Sequence, residues 1–144
     1  MIWKEKYRIG VPLIDDQHQE LFRRVTDFVT TLRSEGKWEE KLKKVNETLL
    51  FMKDYVIIHF GDEEEYQKQI GYPGYEKHRE IHQEMMEYVN NVAKRYEQEG
   101  YNEEIIQQFA GKLLAWLINH VAAMDQKIAQ YANDPGRREG GDRG

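Results

Sequence analysis

The chain of 144 residues suits one compact domain rather than two. Its 26 acidic and 21 basic side chains give a net charge of −5, which argues against a general nucleic-acid binder because such a protein needs a basic surface. The absence of cysteine excludes disulfides, thiol catalysis and thiolate metal sites. No apolar run approaches the roughly 20 residues of a membrane span, and the charged residues 1–10 lack the core of a signal peptide, so we expect a cytoplasmic protein.

The first part of the chain predicts an irregular arm packed against the rest of the domain. Residues 1–15 combine Gly10 and Pro12 with six apolar side chains: Trp3, Tyr7, Ile9, Val11, Leu13 and Ile14. Glycine and proline interrupt regular structure, and the apolar side chains require burial. We therefore expect this arm to be anchored without forming a long helix.

Four long segments with the apolar spacing of helices follow the arm. They cover about residues 16–34, 38–64, 75–98 and 102–132, and Asn102 is a candidate N-cap of the last one. Short connections separate them, and a cluster of breakers at 70–74 is the clearest boundary. These features predict an all-α, antiparallel up-down-up-down four-helix bundle over residues 1–132. The charged, glycine-rich residues 133–144 predict a disordered tail.

All five histidines fall on the apolar stripe of a predicted helix, which we call its core seam. The seam of the second helix reads Leu42, Val45, Leu49, Met52, Val56, His59 and Glu63, in steps of three and four residues. The other histidines occupy equivalent seam positions: His18 on the first helix, His78 and His82 on the third, and His120 on the fourth. The antiparallel topology brings these regions into the same half of the bundle, where Glu63 and Asp125 can join them.

Each of these residues has an ordinary interpretation when it is taken alone. A single seam histidine is more often a hydrogen-bonded core residue than a ligand, Glu63 belongs to an acidic run typical of a solvated helix end, and Asp125 can be a surface carboxylate. As a group, however, these residues do not fit the ordinary interpretations, because one buried polar group without a partner costs roughly 2–7 kcal/mol. A domain of this size has only about 5–15 kcal/mol of net stability. Since the seams offer no lysine or arginine partner in this half, we predict bound metal cations.

The spacing of the candidate ligands supports this prediction. His59 and Glu63 are four residues apart, as are His78 and His82, so each pair lies on one helix face. Asp125 follows His120 by five residues, a rotation of about 140° on an ideal α-helix. Either its side chain reaches back or the helix contains a π-bulge there.

The number and type of ligands indicate which metals suit the site. Seven ligands exceed the four of a tetrahedral zinc site, and neither a His-Glu-x-x-His nor a Glu-x-x-His motif occurs in the chain. Imidazoles with two carboxylates suit cations such as iron, and carboxylates can bridge two metals roughly 3.5–4 Å apart.

These motifs together resemble the hemerythrin family, specifically its single-domain bacterial branch. The matching stretches are Asp15-Asp16-Gln17-His18-Gln19-Glu20-Leu21, His59-Phe60-Gly61-Asp62-Glu63-Glu64, His78-x-x-x-His82 and His120-Val121-x-x-x-Asp125. Apolar residues of the arm are also similar, and the resemblance extends to about Ala132.

The resemblance implies a non-heme pair of iron ions with an oxo or hydroxo bridge. One iron would be held by His78, His82 and His120 and the other by His18 and His59, and Glu63 and Asp125 would bridge them. Dioxygen would bind at the vacant position of the second iron. The implied dioxygen pocket contains Trp116, Leu117, Val121 and Ala123.

Ala123 departs from the family pattern, which commonly has a bulky aliphatic residue at this position. It is either an ordinary helix alanine behind other side chains, or it leaves a roomier pocket that favours autoxidation.

The function predicted in this way is reversible dioxygen binding for storage, delivery or buffering. The alternatives are a dioxygen or redox sensor module and an enzyme that reacts with peroxide or nitric oxide. The sequence offers no acid–base pair placed for such catalysis, and no output domain follows Ala132, so a carrier is favoured over a catalyst and over a sensor. The predicted partner is dioxygen, with neither nucleic acid nor membrane.

Overall fold

The computed structural model describes residues 3–133, and this range is helical throughout apart from turns and short connections. A 3₁₀ turn, Glu5–Tyr7, precedes helices α1 (Pro12–Arg33), α2 (Trp38–Gln69) and α3 (Tyr75–Glu99). The fourth rod consists of α4 (Glu103–Trp116), a π-helical segment (Leu117–Met124) and α5 (Gln126–Ala132). Except for Asn133, the predicted disordered tail lies outside the described residues. No helix within residues 3–133 combines the length and apolarity needed to cross a membrane.

Contacts between neighbouring helices confirm the antiparallel four-helix bundle. The end of α1 meets the start of α2 where Lys41 Nζ donates to the Leu32 carbonyl, 3.1 Å away. The start of α1 meets the far part of α2, where the Tyr55 hydroxyl donates to the Gln17 carbonyl at 2.8 Å. The Phe28 ring, in the last part of α1, packs 5.8 Å from the Phe109 ring, in the first part of α4. Each rod therefore runs opposite to the rods beside it.

The first helix begins four residues earlier than predicted, at Pro12. Proline suits the first helical turn because the nitrogens there have no intrahelical acceptor. The buried Asp15 carboxylate then accepts hydrogen bonds from the backbone N–H of Ile9 at 2.7 Å and of Gly10 at 3.1 Å. Asp15 is therefore part of the helix and also fastens the arm, and only the residues before Pro12 are irregular.

Removing the Asp15 carboxylate is expected to destabilise the fold. Asp15→Ala leaves two backbone N–H groups without their acceptor, one of them on the buried Ile9, so we expect the free energy of unfolding to fall by about 2 kcal/mol. Urea unfolding of the metal-free protein measures this change. Asp16→Ala is the matched control because Asp16 is exposed. Equal losses in the two variants would show that the hydrogen bonds of Asp15 are not the cause.

The second helix extends beyond its predicted end at Glu64 to Gln69. Glu63 and Gln67 continue the buried seam by one turn each up to the predicted breaker cluster at 70–74. The helix ends where Gly71 adopts a positive φ of 66°, which lets the Tyr72 N–H donate to the Gln67 carbonyl at 2.9 Å. The breaker cluster predicted at 70–74 therefore marks the end of α2.

The fourth rod begins as predicted and then changes its helical geometry. The Asn102 side chain accepts a hydrogen bond from the Ile105 N–H at 3.1 Å, which confirms Asn102 as the N-cap. From Leu117 the rod widens into a π-helix. The Asp125 N–H consequently donates to the carbonyl of His120, five residues earlier, at 2.7 Å.

Candidate metal centre

The bundle brings all seven predicted metal ligands together in one buried cluster. Every rod contributes, and none of the seven residues is more than 4% exposed: His18, His59, Glu63, His78, His82, His120 and Asp125. Two groups of donor atoms are close enough to hold one cation each, and both contain Glu63.

Glu63 lies between the two groups and offers one oxygen to each. Its Oε1 is 3.1 Å from Nε2 of His78 and 3.3 Å from Nε2 of His82. Its Oε2 is 3.1 Å from Nε2 of His18 and 3.3 Å from Nε2 of His59. A carboxylate with this arrangement is placed to bridge two cations.

The two oxygens of Asp125 likewise lie beside different histidine groups. Oδ1 lies 2.9 Å from Nε2 of His78 and 3.1 Å from Nε2 of His120, whereas Oδ2 lies 3.2 Å from Nε2 of His18. The π-helical segment makes this possible, because the residue it adds per turn returns Asp125 to the helix face that carries His120. Of the two alternatives for the five-residue spacing, the structure therefore has the π-helix.

The contacts inside the cluster fit metal coordination better than hydrogen bonding. Nε2 of His120 is 2.8 Å from Nε2 of His78 and 3.2 Å from Nε2 of His82, so nitrogen lone pairs crowd together. Glu63 Oε1 and both oxygens of Asp125 are buried and accept no hydrogen bond. Two ligands about 2.1 Å from one metal and at right angles to each other are about 3.0 Å apart, which matches these separations.

Without metal, two protons would have to balance the two buried carboxylates. Burial raises the pKa of Glu63, but its contacts with the surrounding imidazoles outweigh burial and hold that pKa well below its usual value. Burial likewise opposes the charge of His18 and His78, yet contacts with Asp125 and Glu63 raise their pKa to about 10 and about 9 respectively. For His59 burial prevails and lowers the pKa. Cations bound by the neutral imidazoles would take the place of these two protons.

The sequence reasoning missed the outer partners that orient the histidine rings. The Nδ1–H of His82 donates to Oε2 of Glu64 at 2.8 Å. The Nδ1–H of His59 donates to Oε1 of Gln17 at 2.6 Å, and Gln17 Nε2 in turn donates to Oδ2 of Asp62 at 2.7 Å. Metal-bound histidines commonly use such partners to fix the ring and its tautomer. Their positions in the sequence could have indicated these partners, because Gln17, Asp62 and Glu64 each directly adjoin a predicted ligand.

Loss of the Glu64 carboxylate is expected to weaken metal binding without removing a ligand. Glu64→Ala should lower the affinity for the cation beside His82 by about 10–100-fold, because the imidazole loses the acceptor that orients it. Competition with a chelator measures the affinity. The exposed neighbour Glu65 supplies the control variant Glu65→Ala. An unchanged affinity in Glu64→Ala would contradict the positioning role.

The four predicted pocket residues do not lie in one environment. Leu117 and Val121 are fully buried, and Trp116 is half-buried with its ring stacked on that of His120, 3.8 Å between centroids. Ala123 is exposed. Its predicted place in the pocket is therefore not supported, because the π-helical turn leaves this position facing outward. The exposed side chain gives no basis for a pocket widened by Ala123.

Four antiparallel helices that enclose five histidines and two carboxylates define a metal-binding helical bundle. Comparison with known proteins gives the same result: the family model described as Hemerythrin HHE cation binding domain matches residues 9–132. The chain belongs to the hemerythrin family. The description of this family names cation binding, and the histidine–carboxylate cluster is the corresponding candidate non-heme metal site.

Individual relatives resemble the chain over most of its length. A bacteriohemerythrin of Clostridium acetobutylicum is 26% identical over 129 residues, which are 88% of this chain and 96% of the relative. A bacteriohemerythrin of Stenotrophomonas maltophilia is 28% identical over 129 residues, which are 90% of this chain and 79% of the relative. A myohemerythrin of Sipunculus nudus is 25% identical over 88% of each chain.

Proposed function

We propose that this protein holds two iron ions and binds dioxygen reversibly. The observation that carries the proposal is the position of the carboxylate oxygens of Glu63 and Asp125. Each carboxylate places one oxygen beside each of the two histidine groups. This arrangement suits two neighbouring cations with two shared carboxylates. Two ferrous ions in this site would supply two electrons to dioxygen and recover them on its release.

The two groups differ in how many donors the chain supplies. Three imidazoles and two carboxylate oxygens surround the first position, at His78, His82 and His120. Two imidazoles, those of His18 and His59, and two oxygens surround the second. The second position therefore leaves more room for an external ligand, which supports dioxygen binding on the His18/His59 side.

Buried apolar and aromatic side chains surround the site. Leu117 and Val121 are fully buried, and the Phe60 ring stacks on the ring of His82 with 3.9 Å between centroids. In such a low-dielectric interior an uncompensated charge is costly, so a reaction that leaves the net charge unchanged is favoured. Apolar surroundings also limit the supply of protons that would release reduced oxygen species, which supports a reversible carrier.

Reversibility is the property that distinguishes the carrier from the alternatives. The iron-loaded protein, reduced under argon, should gain a visible absorption band when oxygen is admitted and lose it when argon is restored. Protein loaded with zinc, which has no redox chemistry, is the control for spectral changes unrelated to iron. Rapid oxidation without a reversible adduct would contradict the proposal and favour a sensor or an enzyme that reacts with peroxide or nitric oxide.

A further inference from the structure

A surface cleft between α3 and the fourth rod reaches one of the proposed metal ligands. Its volume is about 200 Å³, and its lining includes Ile81, Lys112, Trp116, Asn119, His120 and Met124. His120 is otherwise buried, at 4% exposure. The cleft is therefore a place where a molecule from solvent comes close to the metal centre without occupying a coordination position.

Aromatic stacking connects this cleft to the centre. The half-buried Trp116 lies parallel to the His120 ring, with 3.8 Å between centroids and 14° between planes. It also lies 5.5 Å from Phe60, whose ring is stacked on His82. Trp116 thus joins the cleft to two of the three histidines at the first metal position by ring contacts, which gives a short path between the cleft and that position.

The size and lining of the cleft limit what it can accept. Its volume is below the roughly 300–1,000 Å³ of sites that bury drug-sized ligands, so it suits a single substituted ring rather than a dinucleotide. Ile81, Met124 and Trp116 offer apolar and aromatic contacts to a ring. The exposed Asn119 and Lys112 offer polar groups at the mouth.

We propose that this cleft binds a small hydroquinone and that Trp116 and His120 conduct its electrons to the metal pair. This inference rests on the proposed function, since the diferric form needs two electrons to bind dioxygen again. The hydroquinone loses two electrons and two protons and becomes a quinone. Two ferric ions become ferrous, and the protons pass to solvent at the open mouth of the cleft.

The first test measures reduction of the diferric protein by trimethylhydroquinone in anaerobic stopped-flow experiments. The rate should saturate with hydroquinone concentration. Ala115→Leu, which adds volume to the exposed wall of the cleft, should lower the apparent second-order rate constant at least about tenfold. Gln108→Leu places a leucine at an exposed position of α4 that does not line the cleft and should leave the rate unaltered. A linear dependence that is equal in all three proteins would overturn the assignment.

The second test separates binding from electron transfer. In the zinc-loaded protein, trimethylhydroquinone should shift nuclear magnetic resonance signals of the Trp116 indole, and Ala115→Leu should abolish the shift. Trp116→Leu should reduce the maximal rate of iron reduction more than it weakens binding. Absence of the shift in the unmodified protein would overturn the proposal. Hydroquinone binding in a protein that fails to hold dioxygen reversibly would refute the proposed function and leave the cleft assignment intact.

Discussion

Glu63→Ala is expected to abolish the binding of both metal ions. Among the carboxylates of residues 3–133, Glu63 alone contacts four of the five histidines, two through each oxygen. Its removal takes a donor and a negative charge from both positions at once. Loss of an outer partner of a metal ligand already costs about 10–100-fold in affinity, so loss of a shared ligand should exceed that range at both positions.

Iron content per folded chain measures this effect directly. Glu65→Ala is the matched control, because Glu65 lies two residues further along α2 and is exposed. Circular dichroism of each purified variant verifies that the bundle still forms, so that a loss of iron is not a loss of fold. Retention of a full iron complement by Glu63→Ala would show that this carboxylate does not bridge the two positions.

His18→Ala is expected to remove one metal ion and spare the other. His18 contacts Oε2 of Glu63 and Oδ2 of Asp125, the two oxygens assigned to the second position. Without it that position keeps three donors, whereas the first position keeps all five of its own. The iron content should therefore fall from two ions to about one per chain.

A comparison with His82→Ala tests whether the positions are separate. His82 belongs to the first position, where four donors remain after its loss. We expect this variant to retain the ion at His18 and His59. Simultaneous loss of both ions from His18→Ala would contradict the assignment of its imidazole to one position only.

The burial of most proposed ligands was predictable because these residues follow the periodicity of a buried seam, whereas Asp125 departs from that periodicity. His59 and Glu63 continue the three–four spacing of the apolar residues before them, and the structure buries both. The same periodicity also explains why α2 continues beyond the predicted end, since Gln67 extends the seam. Burial of a ligand is thus a property that one helix reveals on its own.

Features that depend on contacts between helices were not predictable in the same way. The hydrogen bond of Gln17 to His59 joins residues 42 positions apart, so the local sequence does not show which histidine Gln17 contacts, although Gln17 adjoins the ligand His18. The exposure of Ala123 depends on the π-helical register from Leu117 onward. The five-residue interval between His120 and Asp125 indicated two solutions, and only the three-dimensional structure distinguishes them.

X-ray absorption at the iron edge of the iron-loaded protein tests most directly whether these seven side chains hold a metal pair. The expected spectrum contains nitrogen and oxygen neighbours and a second iron within about 4 Å of the absorbing atom. Iron ions with only light neighbours, and no second iron at that distance, would contradict a shared centre.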